Sequence, residues 1–260
     1  MPTPSIVYLC INLPRAEDRR RAIQAQALKH GLDIQLVTAI AGEDLPAEVP
    51  EYDRAARRRC HNHDLTPNEI ACTLSHIKAL KTFLASDAEY AVIMEDDALL
   101  AENFSAGIRE LTDHLQGWEI AKLYTPNCKL YPLSANENAD APIHPVFHKN
   151  MWYAVGFMYT RRGAEALLEG MSPFCTPADG QIVKALLGKQ IPTIAVTPNL
   201  ITTSDPDGTH STIDSKEYHR KAQMRRRSFS QYLAYRCDVI DIALGKKRMR
   251  RLMSRLIVRK

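Results

Sequence analysis

The stretch Ala91-Val92-Ile93-Met94-Glu95-Asp96-Asp97 decides how this chain is interpreted. Its four apolar residues are typical of a strand buried on both faces, as in the sheets of α/β proteins. The three carboxylates then fall just beyond the carboxyl end of that strand, where open α/β sheets bind their ligands. Three adjacent negative charges repel one another, and a divalent cation relieves that repulsion. The stretch therefore predicts a metal-assisted ligand site, with a solvated acidic turn as the simpler alternative.

Within the triplet, Glu95 and Asp97 are the residues predicted to bind the metal. They are two positions apart, so in an extended segment their side chains project to the same side. Carboxylate oxygens are the ligands that Mg²⁺ and Mn²⁺ prefer. We therefore expect one of these ions as the cofactor.

The composition indicates a folded protein. The chain has 260 residues, of which 45% are hydrophobic and 25% charged, enough to bury a sizeable α/β core. No apolar run is long enough to span a bilayer, and the start of the sequence lacks the pattern of a secretory signal. We therefore expect a cytoplasmic protein.

The cysteines are expected to be reduced thiols, because six of them are scattered singly through a long chain. One cluster contains metal-binding residue types: Cys60-His61-Asn62-His63, followed by Cys72 and His76. Its spacing matches no familiar zinc pattern, and Arg57, Arg58 and Arg59 stand beside it. The sequence therefore does not favour a zinc site.

Charge is distributed unevenly along the chain. Residues 216–260 contain 15 Lys and Arg against 3 Asp and Glu, a net charge of +12, and residues 1–215 carry a net charge of −8. Near the end, basic residues alternate with Met249, Leu252, Met253, Leu256, Ile257 and Val258. This pattern predicts a basic amphipathic helical tail over 216–260 that lies on an anionic membrane, appended to a catalytic domain over 1–215. Nucleic acid is the competing partner, but aromatic residues suited to base stacking are sparse there.

Periodicity and capping signals predict alternating strands and helices. The opening unit is a strand over 5–12, a helix over 17–30 closed by Gly31, and a strand over 33–39. Residues 43–65 and 125–150 are predicted to be loops because they are polar or rich in turn-forming residues. Thr66-Pro67-Asn68-Glu69 is a capping box that starts a helix running to about residue 86. Later segments predict helices near 104–115, 162–169 and 180–187, and strands near 118–124, 154–159 and 194–196.

Several blocks occur in order along the chain. They are Ile11-Asn12-Leu13 with Arg15, Asp18 and Arg19; Ala39-Ile40-Ala41-Gly42; residues 68–76, ending in Ser75-His76; Glu95-Asp96-Asp97; Gly156-Phe157-Met158-Tyr159 with Gly163-Ala164; Pro177-Ala178-Asp179; and Thr197-Pro198-Asn199-Leu200. Together these blocks resemble glycosyltransferase family 25, which includes bacterial lipooligosaccharide galactosyltransferases. The resemblance covers about residues 5–215. One departure is Asn68, where the family often has glycine before the glutamate.

The resemblance implies a GT-A-like nucleotide-binding sheet flanked by helices, a UDP-sugar donor that is usually UDP-galactose, and a divalent metal at a DxD-like motif. It also implies that the donor-binding residues are Asn12, Arg15, Arg19, Ala39, Gly42, Ser75, His76 and Asp96. Arg15 and Arg19 are four apart, so both could point at one anion, although a solvated helix face is the alternative. His76 could equally be a buried core histidine.

Two further residues receive candidate roles. If transfer inverts the anomeric centre, a base must deprotonate the acceptor hydroxyl, and Asp179 is the candidate; its alternative role is a helix N-cap. His210 is a candidate third metal ligand, and its alternative is an exposed loop histidine.

Together these features predict a metal-dependent, inverting glycosyltransferase that extends a lipooligosaccharide or lipopolysaccharide core as a peripheral protein on the inner face of the inner membrane. A nucleotidyltransferase would also place acids at a strand end, but it would be expected to carry a Gly-rich phosphate loop, and Asn12-Leu13-Pro14-Arg15 is not one. A non-catalytic membrane or nucleic-acid adaptor would leave the acidic triplet without a purpose.

Overall fold

The structure, a computed structural model, describes residues 4–125, 130–133, 140–148, 152–205 and 228–259. In the described residues the fold is α/β, built on a mixed eight-stranded sheet. The sheet strands are β1 Ile6–Asn12, β2 Ile34–Thr38, β3 Tyr90–Glu95, β6 Ile120–Lys122, β7 Leu130–Pro132, β8 His144–His148, β9 Gly156–Thr160 and β10 Thr193–Thr197. Their order across the sheet is β2-β1-β3-β9-β6-β10-β8-β7. Two small pairs lie outside it, β4 Ala98–Leu100 with β11 Ile201–Thr203, and β5 Leu115–Gln116 with β12 Val258–Arg259.

Helices flank the sheet on both faces, which confirms the predicted α/β class. They are α1 Glu17–His30, α2 Arg54–Cys60, α3 Pro67–Leu84, α4 Phe104–Asp113, α5 Arg161–Gly170, α6 Ala178–Gly188 and α7 Phe229–Leu256, with a 3₁₀ turn at Gly42–Asp44. Alternate residues of the central strands enter two different cores. Leu9 and Ile93 belong to one, and Cys10 and Val92 belong to the other.

The opening strand-helix-strand unit forms as predicted. β1 pairs in parallel with β2 on one side and with β3 on the other. Helix α1 ends at Gly31, whose φ of +65° is a left-handed conformation that glycine adopts without steric cost. Parallel pairing brings the carboxyl ends of β1, β2 and β3 to one edge of the sheet, where the acidic triplet lies.

Helix α3 delivers its side chains to the same edge. Its N-terminus is the predicted capping box, in which Thr66 and Glu69 bond each other's backbone amides. Apolar residues such as Ile70, Ile77 and Leu80 anchor the helix in the core. Its buried surface is wider than the predicted apolar stripe, because Ser75 and His76 are buried as well.

Two segments predicted to be loops contain secondary structure. Residues 43–65 include α2. Its sequence does not look like that of a helix with an apolar face, because its buried residue is Arg57. The Nε of Arg57 donates to the carbonyl oxygen of His63 at 3.2 Å. Residues 125–150 include β7 and β8 at the sheet edge. Local periodicity identifies neither segment, because α2 buries an arginine and because β7 and β8 depend on pairing with each other and with β10.

Helix α7 packs on the domain, which corrects the predicted orientation of its apolar residues. Met249, Met253 and Ile257 are no more than 5% exposed and belong to the same core as Cys10 and Val92. Lys184 of α6 pairs with Asp238 of α7 at 2.9 Å. The part of the stripe expected to face lipid is therefore buried against protein, because this side of the sheet offers it an apolar surface. Among the described helices, none has an apolar stretch long enough to cross a bilayer.

Candidate active site

The backbone of the acidic triplet is hydrogen-bonded to two neighbouring segments at the end of β3. The Glu95 amide donates to the Val155 carbonyl at 3.0 Å, and the Asp97 carbonyl accepts the Ser204 amide at 2.9 Å. The three carboxylates consequently leave the sheet in different directions and have different neighbours.

Asp96 is held by the end of β1 and by α1. Asn12 Nδ2 donates to one carboxylate oxygen at 2.7 Å, and Arg19 donates to the other at 3.1 Å. Three of the predicted donor-binding residues therefore form one hydrogen-bonded cluster. Its exposure to solvent is small, with 11% of the Asp96 side chain exposed.

Asp97 is half-buried, and its carboxylate is only partly satisfied. Thr203 Oγ1 donates to Oδ2 at 2.7 Å, whereas the buried Oδ1 has no hydrogen-bond partner within the described part of the chain. Burial, with the neighbouring Glu95 charge, raises the pKa of Asp97 to about 6. A buried carboxylate oxygen without a donor is costly, and a cation would remove that cost. Asp97 and the nearby Glu95 thus fit an oxygen-ligated divalent ion.

Glu95 faces α3. Its Oε1 lies 3.1 Å from Nε2 of His76, which is 3% exposed. Cys72 lies one turn earlier on the helix, and ligand atoms of Cys72, His76 and Glu95 all lie within 4.8 Å of one another. Burial raises the pKa of the Cys72 thiol well above its ordinary value, and Glu95 and Asp179 add to that effect. His76 thus contacts the acidic triplet directly.

Asp179 belongs to the same neighbourhood. It is the second residue of α6 and not its N-cap, which is Pro177. Its Oδ1 accepts the Gly180 amide at 2.7 Å. Burial raises the pKa of Asp179, the backbone amides of Gly180 and Tyr153 lower it, and the Glu95 charge raises it. The net upward shift moves this carboxyl toward the range in which a general base is effective at neutral pH.

The segment after β2 is fastened to β1 and α3. Ala39 donates its amide to the Asn12 carbonyl at 2.9 Å, and Ile40 donates to Ser75 Oγ at 2.9 Å. Gly42 packs so closely on α3 that an added Cβ would lie 2.2 Å from Asn68 Oδ1. Ser75 therefore positions this segment, because its hydroxyl bonds both Ile40 and the Ala71 carbonyl.

The predicted residues do not all converge. Arg19 bonds Asp96, whereas Arg15 pairs with Glu43 on the surface, so the two arginines do not share one protein anion. His210 lies outside the described residues. Sequence reasoning missed Thr203, which orients Asp97, and Lys122, which is 2% exposed and donates to the backbone carbonyls of Trp152 and Tyr153. For Lys122, the signal in the sequence was its position directly after the apolar residues Ile120 and Ala121.

The fold and this site define an α/β protein with a cluster of carboxylates at the carboxyl ends of parallel strands, one of whose buried oxygens has no hydrogen-bond partner among the described residues. Residues 6–182 match the family described as Glycosyltransferase family 25 (LPS biosynthesis protein). The match covers well over half of the chain, so the protein belongs to glycosyltransferase family 25. This confirms the resemblance drawn from the sequence blocks.

Curated relatives are more distant. A Glycosyltransferase 25 family member of Aedes aegypti is 24% identical over 177 residues, covering 64% of this chain and 28% of the relative. Procollagen galactosyltransferase 1-B of Xenopus laevis is 26% identical over 172 residues, covering 61% of this chain and 27% of the relative. The chain thus spans little more than a quarter of the length of these relatives.

Two solved structures align with the chain at low similarity. One is a glycosyltransferase involved in glycosylation of the major capsid of PBCV-1, with a TM-score of 0.40 and 13% identity over 74% of this chain and 82% of that chain. The other is a Drosophila β-1,4-galactosyltransferase 7 mutant in complex with manganese, UDP-Gal and xylobiose, with a TM-score of 0.40 and 11% identity over 88% of this chain and 79% of that chain.

Proposed function

We propose that this protein is a metal-dependent, inverting glycosyltransferase that moves a sugar, galactose in our proposal, from a UDP-sugar to a lipooligosaccharide or lipopolysaccharide core. The observation that carries the proposal is the buried Asp97 Oδ1 beside Glu95, for which the described part of the chain offers no hydrogen-bond donor, in a member of this family. The family description supports the acceptor class, and the names of the procollagen galactosyltransferases support galactose.

Glu95 and Asp97 would hold the divalent ion, Mn²⁺ or Mg²⁺, with His210 as a further candidate ligand. Such an ion supplies positive charge that stabilises the departing nucleoside diphosphate. Asp96 is proposed to bind the donor itself and not the metal ion. Asn12 and Arg19 hold its carboxylate in place. The segment from Ala39 to Gly42, which is hydrogen-bonded to Asn12 and Ser75, would contact the donor from the end of β2.

Asp179 is proposed to take the proton from the acceptor hydroxyl. Desolvation and the charge of Glu95 shift the pKa of Asp179 upward, so it can accept a proton more readily than an exposed aspartate. In-line attack by the deprotonated hydroxyl on the anomeric carbon would invert its configuration.

The acceptor would be met at an anionic membrane surface on the cytoplasmic side. Although part of the apolar stripe of α7 is buried, Lys247, Arg248, Arg251 and Arg255 are exposed on the same helix. Basic side chains on a surface helix are attracted to anionic headgroups without insertion of the helix. We propose this electrostatic mode of peripheral binding and no partner nucleic acid.

A donor panel tests the proposal. Nucleotide sugars are incubated with purified protein and a soluble core oligosaccharide, with Mn²⁺, with Mg²⁺, or with a chelator. We expect release of UDP and growth of the oligosaccharide by one hexose from UDP-galactose, dependent on the added metal. Transfer of a nucleotidyl group instead would support the nucleotidyltransferase alternative, and no turnover of any donor would refute the enzyme proposal.

The variant Asp97→Asn tests the proposed role of this residue as a metal ligand, because the neutral amide cannot replace the charged carboxylate. We expect turnover to fall by about 10²-fold or more, as for the loss of a transition-state electrostatic partner. Asp33→Asn, at an exposed aspartate, is the matched control and should leave turnover unchanged. Full activity in Asp97→Asn would contradict the role proposed for this residue.

A further inference from the structure

The cluster of Cys72, His76 and Glu95 contains more than the oxygen ligands that the proposed function uses. Cys72 and His76 are four residues apart on α3, so both project from the same face of the helix. Glu95 approaches from the end of β3, with His76 Nε2 and Glu95 Oε1 3.1 Å apart. One thiol sulfur, one imidazole nitrogen and one carboxylate oxygen can thus all be placed within 4.8 Å of one another.

This donor set suits a different class of cation from the one bound by carboxylates alone. Thiolate and imidazole are ligands of borderline-soft ions such as Zn²⁺ and Co²⁺, whereas Mg²⁺ and Mn²⁺ favour oxygen. Three protein ligands with one open position is the arrangement of many accessible zinc sites. Cys72 and Glu95 are partly exposed, whereas His76 is buried. The additional negative charges of Asp97 and Asp179 nearby attract cations to this position.

We propose that Cys72, His76 and Glu95 form a second metal site, selective for Zn²⁺-like ions, that shares Glu95 with the proposed catalytic ion. Because a single carboxylate would serve both sites, occupation by Zn²⁺ removes a ligand from the Mn²⁺ or Mg²⁺ site. Zn²⁺ should therefore inhibit the enzyme in competition with Mn²⁺. Only this inhibitory consequence rests on the proposed function; binding of Zn²⁺ does not.

Binding is tested directly with Co²⁺ as a spectroscopic substitute for Zn²⁺. Titration of the full chain, without donor or acceptor, should give a thiolate-to-cobalt charge-transfer absorption that saturates at one ion per chain and is abolished by excess Zn²⁺. In Cys72→Ser this absorption should disappear and Zn²⁺ affinity should fall by at least about tenfold. Cys175→Ser, at another partly buried thiol, is the matched control and should retain both.

Circular dichroism and thermal unfolding establish that the variants are folded, and Cys72→Ala gives a second test if the serine variant is not. An unchanged titration in folded Cys72→Ser or Cys72→Ala would overturn the proposal. So would loss of the absorption in Cys175→Ser with retention in Cys72→Ser.

The inhibitory consequence is measured separately, as sugar transfer at fixed Mn²⁺ and rising Zn²⁺. We expect inhibition that weakens as Mn²⁺ is raised. Thiolate-cobalt absorption without any sugar transfer would refute the proposed function and leave the metal site standing. Sugar transfer without thiolate-cobalt absorption would refute the metal site alone.

Discussion

At the scale of single residues, burial of Asp97 favours its protonated form, whereas its proposed role as a metal ligand requires the carboxylate. The folded protein raises its pKa to about 6, chiefly by burial and secondarily through Glu95. An aspartate in the unfolded chain titrates near pH 3.9. The folded state therefore binds the proton more tightly, and the stability associated with this residue is full below about pH 4 and is lost as pH rises through about 6.

This conflict gives a pH-dependent prediction. In chelator, Asp97→Asn should be more stable than the wild type at pH 7, by up to about 3 kcal/mol, and the difference should shrink toward pH 4. Urea unfolding of both proteins across this pH range measures it. Added Mn²⁺ should stabilise the wild type and not the variant, because only the wild type keeps the ligand. A difference that is constant with pH would contradict the assigned environment of Asp97.

Asp179 gives a second prediction at this scale. Asp179→Asn should lower kcat by about 10²-fold or more, because no base then receives the acceptor proton, while the donor Kd stays within error. Steady-state kinetics with a soluble acceptor and calorimetric titration of the donor measure the two quantities. Equal weakening of donor binding would show that the residue shapes the donor pocket instead.

At the scale of elements, the close approach of the β2 exit to α3 should be sensitive to a single methyl group. An added Cβ at Gly42 would meet Asn68 Oδ1 at 2.2 Å and the Asn68 backbone nitrogen at 2.8 Å, so one of the two segments must move. We expect Gly42→Ala to reduce the free energy of unfolding by about 1–3 kcal/mol and to weaken donor binding.

Gly188 is the matched control, because a Cβ there meets nothing within 4 Å. Gly188→Ala, near the end of α6, should be neutral or slightly stabilising in the same urea titration. If both variants unfold at the wild-type midpoint, the two segments do not pack as closely as described.

At the scale of the whole molecule, α7 closes the second core. Met253 is fully buried, with 0% exposed, so truncation to alanine leaves a cavity. Met253→Ala should destabilise the protein by about 2–5 kcal/mol, whereas Leu244→Ala, at a residue 48% exposed on the same helix, should cost little. Urea unfolding followed by tryptophan fluorescence measures both; equal small effects would mean that α7 contributes little to the core.

Much of the fold could be predicted from local sequence. The bounds of α1, its closure at Gly31 and the capping box at Thr66 follow from interactions within a few residues, so the sequence patterns were sufficient. Helix α2 could not be predicted, because its buried side is an arginine whose guanidinium is satisfied by His63. The candidate site, too, could be predicted from local sequence only in part. The acidic triplet is visible in the sequence, but its Thr203 partner is 106 residues away from Asp97.

The sequence by itself determined that strands and helices alternate and that three carboxylates follow a buried strand, because these depend on period, capping and adjacency along the chain. Only the tertiary structure decided that Oδ1 of Asp97 lacks a hydrogen-bond partner among the described residues, that Cys72 and His76 meet Glu95, and that α7 buries Met253. Those outcomes depend on which surfaces come together when the sheet is assembled. No local pattern encodes them, because each requires groups from distant parts of the chain.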